Sequence, residues 1–529
     1  MGNNFKKIFL NENFCFFLLF CFALLVSFFY FYTIDQRAIN SALTLSNEIV
    51  YENKFNILNI THHNTWTLTF HLLKFLINLG INLNLLNFLI LFICLSMSTF
   101  GIFLISKALS GSIFFSFFIS CLIILGNINF GNLDYPVLLI SEHTNGMSSQ
   151  ACAILVFGLI ADKKISFAIL LSIITLGIHI IIGAWLISIL FLSIYTFKQR
   201  DFKINFFIKK KIYYLITIFA ILILSFSHFQ FNKIDVPYAY NYSLYTTYLE
   251  VWDHHRSKIF GINYNYIFLT VLMLSALLYF LRDNKRKKNN NFFIRIIILQ
   301  VLISFIIYFL YKIFPNLFQG IFLKIIPSRF FLIHSVFGVA IILSILYYYT
   351  HVLFKNKNIL ALALIIIMIH PIVYHNKYFN KFERIYNNSI LANKNIDYIF
   401  WNQIKKTDVS NGVILTSNNA CSKTFQDALK PILICIESID VIPYRPELAK
   451  PIKNILEKIY EVNFSNPPEK NHGGIWYDRT YKDTFEKRTY DQWKVISKEF
   501  DLKGLILPVE WNLQLNKSFI GKKFTYYAL

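Results

Sequence analysis

Charged side chains are scarce in this sequence. Only 15% of its 529 residues are Asp, Glu, Lys or Arg, whereas 56% are hydrophobic and the mean hydropathy is +0.50. Soluble globular proteins carry about 25% charged residues. Because so few charges cannot cover a water-facing surface of this size, a wholly soluble protein is excluded. Lipid must surround much of the chain.

Motifs that would identify a familiar enzyme or metal site are missing from the part of the chain after residue 374. It contains no Gly-rich phosphate loop, no GxSxG motif and no CxxC or Cys/His metal spacing. Five of the seven cysteines lie in or beside apolar runs, where a thiol behaves as a small hydrophobe. The other two, Cys421 and Cys435, either form a disulfide in an oxidising compartment or remain two free thiols.

Acidic residues are fewer than basic ones, 29 against 51, which gives a formal net charge of +22. Basic surfaces are typical of nucleic-acid binding. Here, however, much of the charge falls in short loops between apolar runs, and the joint richness in Phe, Ile, Asn and Lys is typical of an AT-biased coding sequence. We therefore interpret the basic residues as orientation signals and expect no nucleic-acid partner.

Apolar runs recur along the first 374 residues, several of them near the length of about 20 residues that crosses a bilayer. We predict a polytopic α-helical membrane domain over residues 1–374, with about 11–13 transmembrane helices. Residues 14–32 form an uncleaved anchor, because this stretch is too long for a signal peptide. The further candidate spans are 85–109, 112–127, 149–161, 166–178, 181–197, 212–226, 264–281, 292–311, 330–349 and 359–374.

The distribution of lysine and arginine predicts the orientation of these spans. Basic segments at 161–164, 198–211, 282–288 and 355–357 should face the cytoplasm. The loops at about 33–84, 128–148, 227–263 and 312–329 are then extracytoplasmic, and the N-terminus is cytoplasmic. This count requires that the short run 65–79, which contains His71 and Lys74, lies at the membrane interface without crossing.

Residues 375–529 differ in texture from the rest. Charges become frequent, and short strand-like runs near 412–415 and 504–509 alternate with amphipathic helical stretches at 447–461 and 491–500. This alternation predicts a small, soluble α/β domain. Because no further span is available after residue 374, we expect the domain to be extracytoplasmic.

Ionisable residues near membrane depth are costly, so each is a candidate for function. The predicted outer face holds most of them: Asp35 directly after the first span, Glu142 and His143 in the second loop, Asp253-His254-His255-Arg256 in the third loop, and Arg329 at the start of a later span. His179 interrupts an apolar run, and His334 lies one turn inside a span.

Each of these residues also has a purely structural interpretation. Asp35 could cap the end of the first helix or lie in water. Glu142 and His143 could belong to a solvated loop. His179 is suited to hydrogen bonding between helices, and Arg329 to reaching the lipid head groups. Four adjacent ionisable residues behind Trp252 are harder to explain in this way, and all the clusters share one predicted face.

The residue types indicate chemistry on a phosphate at the membrane surface. A carboxylate at the boundary of water and lipid can act as a general base towards a hydroxyl group. Arginine and histidine are suited to grip a phosphate. Carboxylates beside histidines are also suited to hold a divalent metal, although no cofactor is required by the sequence.

The predicted architecture resembles the GT-C superfamily of membrane glycosyltransferases. The shared features are an anchor helix followed at once by an outer loop with an early Asp, many further spans and an outward C-terminal domain. The shorter motifs resemble an uncharacterised bacterial branch of GT-C-like proteins; they are Glu142-His143-Thr144-x-Gly146, His179-x-x-x-Gly183, His254-His255-Arg256 and the ending 519–529. The resemblance implies a bacterial inner (plasma) membrane enzyme that transfers a sugar from a polyprenyl-phosphate donor to an extracytoplasmic glycan or lipid acceptor.

This resemblance implies roles for individual residues. Asp35 matches the position of the superfamily's acidic base, although the Asp-Asp or Glu-x-Asp pair common there is missing, and Glu142 is the second choice, with His143 beside it. The donor phosphate or a metal is expected at Asp253, His254, His255 and Arg256, supported by Arg329 and His179.

Two other functions remain open. A transporter or flippase would use His179 and His334 to line a pathway, and a non-catalytic assembly component would bind a partner through its outward domain. The hydropathy contains no inverted repeat, which counts against a transporter.

Overall fold

The computed structural model is mostly helical, with a small sheet near the C-terminus. It describes residues 11–31, 34–127, 138–142, 144–197, 218–220, 222, 234–253, 264–282, 284–314, 316, 334–353, 396–410, 412–434, 436–467 and 480–529. The predicted spans at 212–226, for the most part, and 359–374 lie outside these residues, as does the predicted domain boundary at 374.

The first long helix packs antiparallel to the second. Helix α1 covers Glu12–Tyr30, and α5 covers Leu83–Ser110. Ring centroids of Phe16 and Phe103 lie 5.1 Å apart, and those of Phe31 and Phe88 lie 5.7 Å apart. The end of α1 therefore lies beside the start of α5, so the chain between them returns to the end of the bundle from which it left.

Three short helices lie in the segment of the chain between α1 and α5. They are α2 at Arg37–Leu45, α3 at Ile57–Asn64 and α4 at Leu68–Asn78. At a rise of about 1.5 Å per residue, the 11 residues of α4 extend about 16 Å, roughly half the thickness of a bilayer core. Helix α4 instead packs along α2.

The bundle continues through α6 at Ile113–Gly126, α7 at Asn145–Ala161, α8 at Ile165–Ile178 and α9 at Ile180–Phe197. Helix α5 packs closely along α7 because glycines meet at the crossing. A Cβ atom on Gly101 would lie 2.5 Å from the carbonyl oxygen of Ile154, and one on Gly158 would lie 2.7 Å from the Cα of Gly101. Only a residue without a side chain fits at either position.

The remaining described helices of this region are α10 at Tyr242–Thr247, α11 at Tyr264–Arg282, α12 at Asn284–Ile313 and α13 at Ser335–Leu353. One difference from the sequence analysis concerns the basic segment 282–288. Most of it belongs to the first turns of α12, whereas we had expected a loop.

Four helices among the described residues are long and apolar enough to cross a membrane: α1, α5, α9 and the segment 292–311 of α12. Shorter apolar helices occur at or close to the other predicted spans in the described part of the chain. These apolar helices indicate a membrane protein.

Ion pairs join several helices at one end of the bundle, which we call the Glu12 end. The ammonium group of Lys107 lies 2.6 Å from Glu12 and 2.7 Å from Asp162, and Lys164 lies 2.8 Å from Asp162. The start of α1, the end of α5 and the turn between α7 and α8 therefore meet there. The opposite end, where α2, α3 and α4 lie, is called the Asp35 end.

The C-terminal domain begins, in the described residues, with α14 at Ile396–Lys406 and contains four strands. They are β1 at Val413–Thr416, β2 at Leu502–Pro508, β3 at Lys517–Ile520 and β4 at Phe524–Ala528. The order is β1-β2-β4-β3, with β1 parallel to β2 and the other pairs antiparallel. Strands β1 and β2 occur where we predicted strands, whereas the β3–β4 hairpin was not predicted.

Four further helices in the described part of this domain share a buried apolar core with the sheet. They are α15 at Cys421–Gln426, α16 at Ala449–Ile459, α17 at Lys482–Lys487 and α18 at Tyr490–Phe500. Helices α16 and α18 match the stretches predicted at 447–461 and 491–500. The start of α18 is fixed by a reciprocal capping box, in which Thr489 and Gln492 each bond the other's backbone N–H.

The core of the C-terminal domain is continuous with the loops of the Asp35 end. One cluster of buried apolar side chains runs from Ile39 and Ile60 through Leu249 to Phe425 and Leu505. Cys421 in this domain is disulfide-bonded, whereas Cys21, Cys94, Cys121 and Cys152 are free thiols. Cys435 lies outside the described residues.

Candidate functional site

Three carboxylates and two cations gather at the Asp35 end. Lys423 on α15 lies 3.8 Å from the carboxylate of Asp35 and 3.6 Å from that of Asp427. Arg37, the first residue of α2, lies 2.8 Å from the carboxylate of Glu142. We call these five residues the Asp35 cluster. It joins the segment after α1, the loop before α7 and the C-terminal domain.

The cluster is only partly covered by protein. The side chains of Asp35 and Glu142 are each 31% exposed, and Asp427 is 44% exposed. Loss of water around Asp427 raises the pKa of its carboxyl group; Lys423 opposes this rise and the neighbouring Asp35 adds to it. The charge of Asp35 therefore acts on Asp427, as expected of a nearby carboxylate.

A chain of buried amide groups fixes the position of the cluster. The side chain of Asn87 on α5 accepts a hydrogen bond from the backbone N–H of Gln36 at 2.8 Å. It also donates one to the side-chain oxygen of Gln426 at 3.0 Å. Gln426 in turn donates to the backbone oxygen of Gln36 at 3.2 Å and to the side-chain oxygen of Asn40 at 2.8 Å. Asn40 donates to Ser422 at 3.2 Å.

This amide network ties the residues on either side of the ion pairs. Gln36 follows Asp35 in sequence, while Ser422 directly precedes Lys423 and Gln426 directly precedes Asp427. Because buried amides are costly to leave without partners, the network specifies a single docking geometry for the C-terminal domain on the bundle.

A buried histidine behind the cluster was not predicted from the sequence. Nδ1 of His62 lies 2.8 Å from the hydroxyl of Thr44, and its ring lies 5.8 Å from that of Phe425. Burial, and then the nearby His63, lowers the pKa of His62 to about 3. The imidazole is therefore neutral at physiological pH and acts as a packed, hydrogen-bonded part of the domain interface.

The predicted Asp253-His254-His255-Arg256 segment is anchored to the C-terminal domain at its start. Residues Tyr248–Trp252 form a turn of π-helix, a feature found often at functional sites. The indole N–H of Trp252 donates to the Phe464 carbonyl at 2.6 Å, and the Tyr248 hydroxyl donates to Asp440 at 3.3 Å. Asp253 follows directly and is buried.

His179 lies in the turn between α8 and α9, where its extended backbone reverses the chain. Its Nδ1 accepts from the backbone N–H of Ile182 at 3.4 Å. The two helices approach closely here, since a Cβ atom on Gly183 would lie 2.3 Å from the Cα of Leu176. Because α8 begins at the Glu12 end, His179 belongs to the Asp35 end. His334 contacts α11, where its Nε2 lies 3.2 Å from the Thr270 hydroxyl.

The structure thus brings Asp35 and Glu142 into one cluster and places Asp253 and His179 at the same end of the molecule. His143, His254, His255, Arg256 and Arg329 lie outside the described residues. Within the described residues, no three His, Cys, Asp or Glu side chains are grouped as ligands for a metal ion.

Sequence reasoning missed Arg37, Lys423, Asp427 and Gln426. Arg37 was visible next to Asp35, but nothing in the sequence relates Lys423 or Gln426 to the first loop. No protein-family model matches this sequence, and no curated protein matches it.

Proposed function

We propose that this chain is a multi-span membrane glycosyltransferase of the GT-C-like type. It would move a sugar from a polyprenyl-phosphate donor to an extracytoplasmic glycan or lipid acceptor. The observation that carries the proposal is the Asp35 cluster: a carboxylate shortly after the first long apolar helix faces Lys423 of the C-terminal domain, and Arg37, two residues further along, pairs with a second carboxylate, Glu142. Such a placement suits reaction at the boundary of water and lipid.

Asp35 is the proposed general base. Its contact with Lys423, at 3.8 Å, is longer than a hydrogen bond, so its oxygens remain open to a hydroxyl group. Glu142 is instead held by Arg37 at 2.8 Å, which occupies the carboxylate. This contrast favours Asp35 for proton transfer and gives Glu142 a positioning role.

The reaction would proceed by displacement at the anomeric carbon. Asp35 takes the proton of the acceptor hydroxyl as that oxygen bonds to the anomeric carbon. The bond from this carbon to the phosphate oxygen breaks, and the polyprenyl phosphate leaves with the electron pair. Lys423 adds positive charge close to the reacting groups, which favours an anionic leaving group.

The donor phosphate is assigned to the remaining predicted residues. Asp253, His254, His255 and Arg256 follow the π-helical turn that is anchored to the C-terminal domain, and His179 and Arg329 would support them. A divalent metal held by these residues is a second way to bind the phosphate. His143, next to Glu142, is proposed as part of the catalytic group instead. The lipid bilayer is the proposed partner, because it holds the polyprenyl chain of the donor and so presents the donor phosphate to the protein.

The proposed location is the bacterial inner membrane, with the N-terminus in the cytoplasm and the C-terminal domain outside. Support comes from the disulfide at Cys421, since disulfides persist in oxidising compartments. Further support comes from the position of Lys163 and Lys164 at the Glu12 end, because lysine-rich turns remain cytoplasmic.

The test is made in cells that depend on the full-length protein for their envelope glycans. We expect Asp35→Asn to abolish a lipid-linked or envelope glycan that wild type restores, while Asp491→Asn, an exposed acid on α18, restores it fully. Both variants must reach wild-type membrane levels. If Asp35→Asn leaves the glycans unchanged but alters the uptake of a polar solute, the protein is a transporter and not a glycosyltransferase. If the variant changes neither, the result favours a non-catalytic assembly component.

A further inference from the structure

A second group of basic side chains lies on α3 and α4, outside the Asp35 cluster. His63 is near the end of α3, and His71 and Lys74 lie on α4. Residues three apart in a helix are neighbours on its surface, so His71 and Lys74 share one strip of α4. The Trp66 ring lies 5.9 Å from that of His71. We call these four residues the α4 basic patch.

Positive charge in the patch is not offset by nearby acids in sequence. No Asp or Glu occurs between residues 53 and 133. Lys74 takes part in none of the ion pairs found among the residues that the structure describes. Lys74 lies close enough to both imidazoles to act on them: partial burial, and then this ammonium group, lowers the pKa of His63 and of His71.

Helix α4 also exposes a row of large apolar side chains. Leu72 is 54% exposed, Phe75 is 59% exposed and Leu79, which ends the helix, is 61% exposed. The opposite face, with Phe70, Leu73 and Ile77, is buried in the core shared with α2. At 100° per residue, His71 and Lys74 fall on the strip between the buried face and the exposed apolar face.

This arrangement matches a helix at the surface of a bilayer. An exposed apolar row beside a basic strip suits a helix that lies in the interface plane, with its apolar face among acyl chains. Tryptophan prefers the same depth. The basic strip would then meet lipid head groups, and an unpaired ammonium group there attracts a negative charge.

We infer that the α4 basic patch binds the phosphodiester head group of an anionic bilayer phospholipid. Lys74 supplies the ion pair, the N–H groups of His63 and His71 donate to phosphate oxygens, and Leu72, Phe75 and Leu79 contact the acyl chains. The site anchors the short helices that carry the loop of Asp35 onto the membrane. It is independent of the proposed transferase activity.

The test uses the full-length protein in a neutral detergent, with short-chain phosphatidylglycerol as the probe and phosphatidylcholine as the uncharged comparison. Bound lipids are counted by native mass spectrometry over a titration. We expect the wild type to bind phosphatidylglycerol in preference to phosphatidylcholine. Lys74→Gln should weaken phosphatidylglycerol binding about fivefold, because a basic residue at an anionic surface contributes about 1 kcal/mol. The double variant Lys74→Gln/His71→Gln should weaken it further. Lys450→Gln, an exposed lysine of α16, should leave binding unchanged.

The proposed lipid site would be contradicted if the wild type bound the two lipids equally well. It would also be contradicted if Lys74→Gln bound phosphatidylglycerol with unchanged affinity. Polyprenyl phosphate is titrated in parallel. If it alone binds in a Lys74-dependent way, the bilayer phospholipid is the wrong occupant. Loss of glycan product in Asp35→Asn leaves these binding results untouched, so the two proposals fail separately.

Discussion

The guanidinium group of Arg37 and the carboxylate of Glu142 lie 2.8 Å apart, and each side chain is about one-third exposed. This ion pair connects the start of α2, directly after the first long helix, to the loop that leads into α7. Through this contact the loop that holds Glu142 is joined to the segment that holds Asp35, two residues before Arg37.

Reversing the charges of this pair tests whether it holds the loop in place. Arg37→Glu alone sets two carboxylates against each other, and the double variant Arg37→Glu/Glu142→Arg restores attraction. We expect a coupling free energy of about 0.5–1 kcal/mol, typical of a partly exposed pair, in thermal unfolding of the purified protein. The more exposed pair of Lys458 and Glu499 serves as the comparison and should give less coupling. A coupling of zero would mean that the pair does not position the loop.

The amide network predicts a strong effect at Gln426. Gln426→Leu removes the hydrogen-bond partner of three buried groups, the Asn87 side-chain N–H, the Asn40 side-chain oxygen and the Gln36 backbone carbonyl, at a cost of about 2–3 kcal/mol. The melting temperature should fall by several degrees, and limited proteolysis should cut more readily between the C-terminal domain and the bundle. Gln403→Leu, at an exposed position of α14, is the control. If both variants melt alike, the network does not fix the interface.

The buried imidazole of His62 predicts a dependence of stability on pH. Its pKa is about 3 in the folded protein against 6.5 ordinarily, so the unfolded chain binds this proton more readily. The contribution is fully present above pH 6.5 and is lost as the pH falls towards 3, by about 2 kcal/mol between pH 7 and pH 5. His62→Asn should flatten the dependence of unfolding on pH by that amount relative to wild type. Parallel pH curves for the two proteins would contradict the assignment.

Close packing of α5 on α7 predicts a severe effect of one methyl group. In Gly101→Ala the new Cβ atom would lie 2.5 Å from a backbone oxygen that cannot move aside without shifting α7. We expect a loss of about 1–3 kcal/mol, as for other overpacked sites, with reduced yield of folded protein. Gly338→Ala on α13 meets only side-chain atoms at 3.4 Å or beyond and should be tolerated. Equal yields and melting temperatures would show that the crossing is looser than described.

The hydropathy of the sequence predicted the helices well because a long apolar run leaves the chain few alternatives. Nine of the eleven predicted spans coincide with or overlap helices among the described residues, such as 85–109 with Leu83–Ser110. The α/β character of the C-terminal domain followed from alternating strand-like and amphipathic stretches. The β3–β4 hairpin was missed because Lys517–Ile520 is short and largely exposed, so it carries no run of buried apolar residues.

The site was predictable only in part. Asp35 and Glu142 were recognised because acids are rare near the ends of apolar runs. Lys423 and Gln426 could not be, since neither stands out within an ordinary polar helix and each is nearly 390 residues from the segment it contacts. His62 sits in a short helix next to another histidine, and only its burial against Phe425 distinguishes it.

The most direct test of the central claim is glycosyl transfer by the purified, reconstituted full-length protein, supplied with a set of polyprenyl-phosphate sugars and an envelope-glycan extract as acceptor. Loss of a general base costs about 10²–10⁴-fold in rate. We predict that Asp35→Asn retains at most about one-hundredth of the wild-type rate while Asp491→Asn retains all of it. Transfer by Asp35→Asn at the wild-type rate would contradict the account.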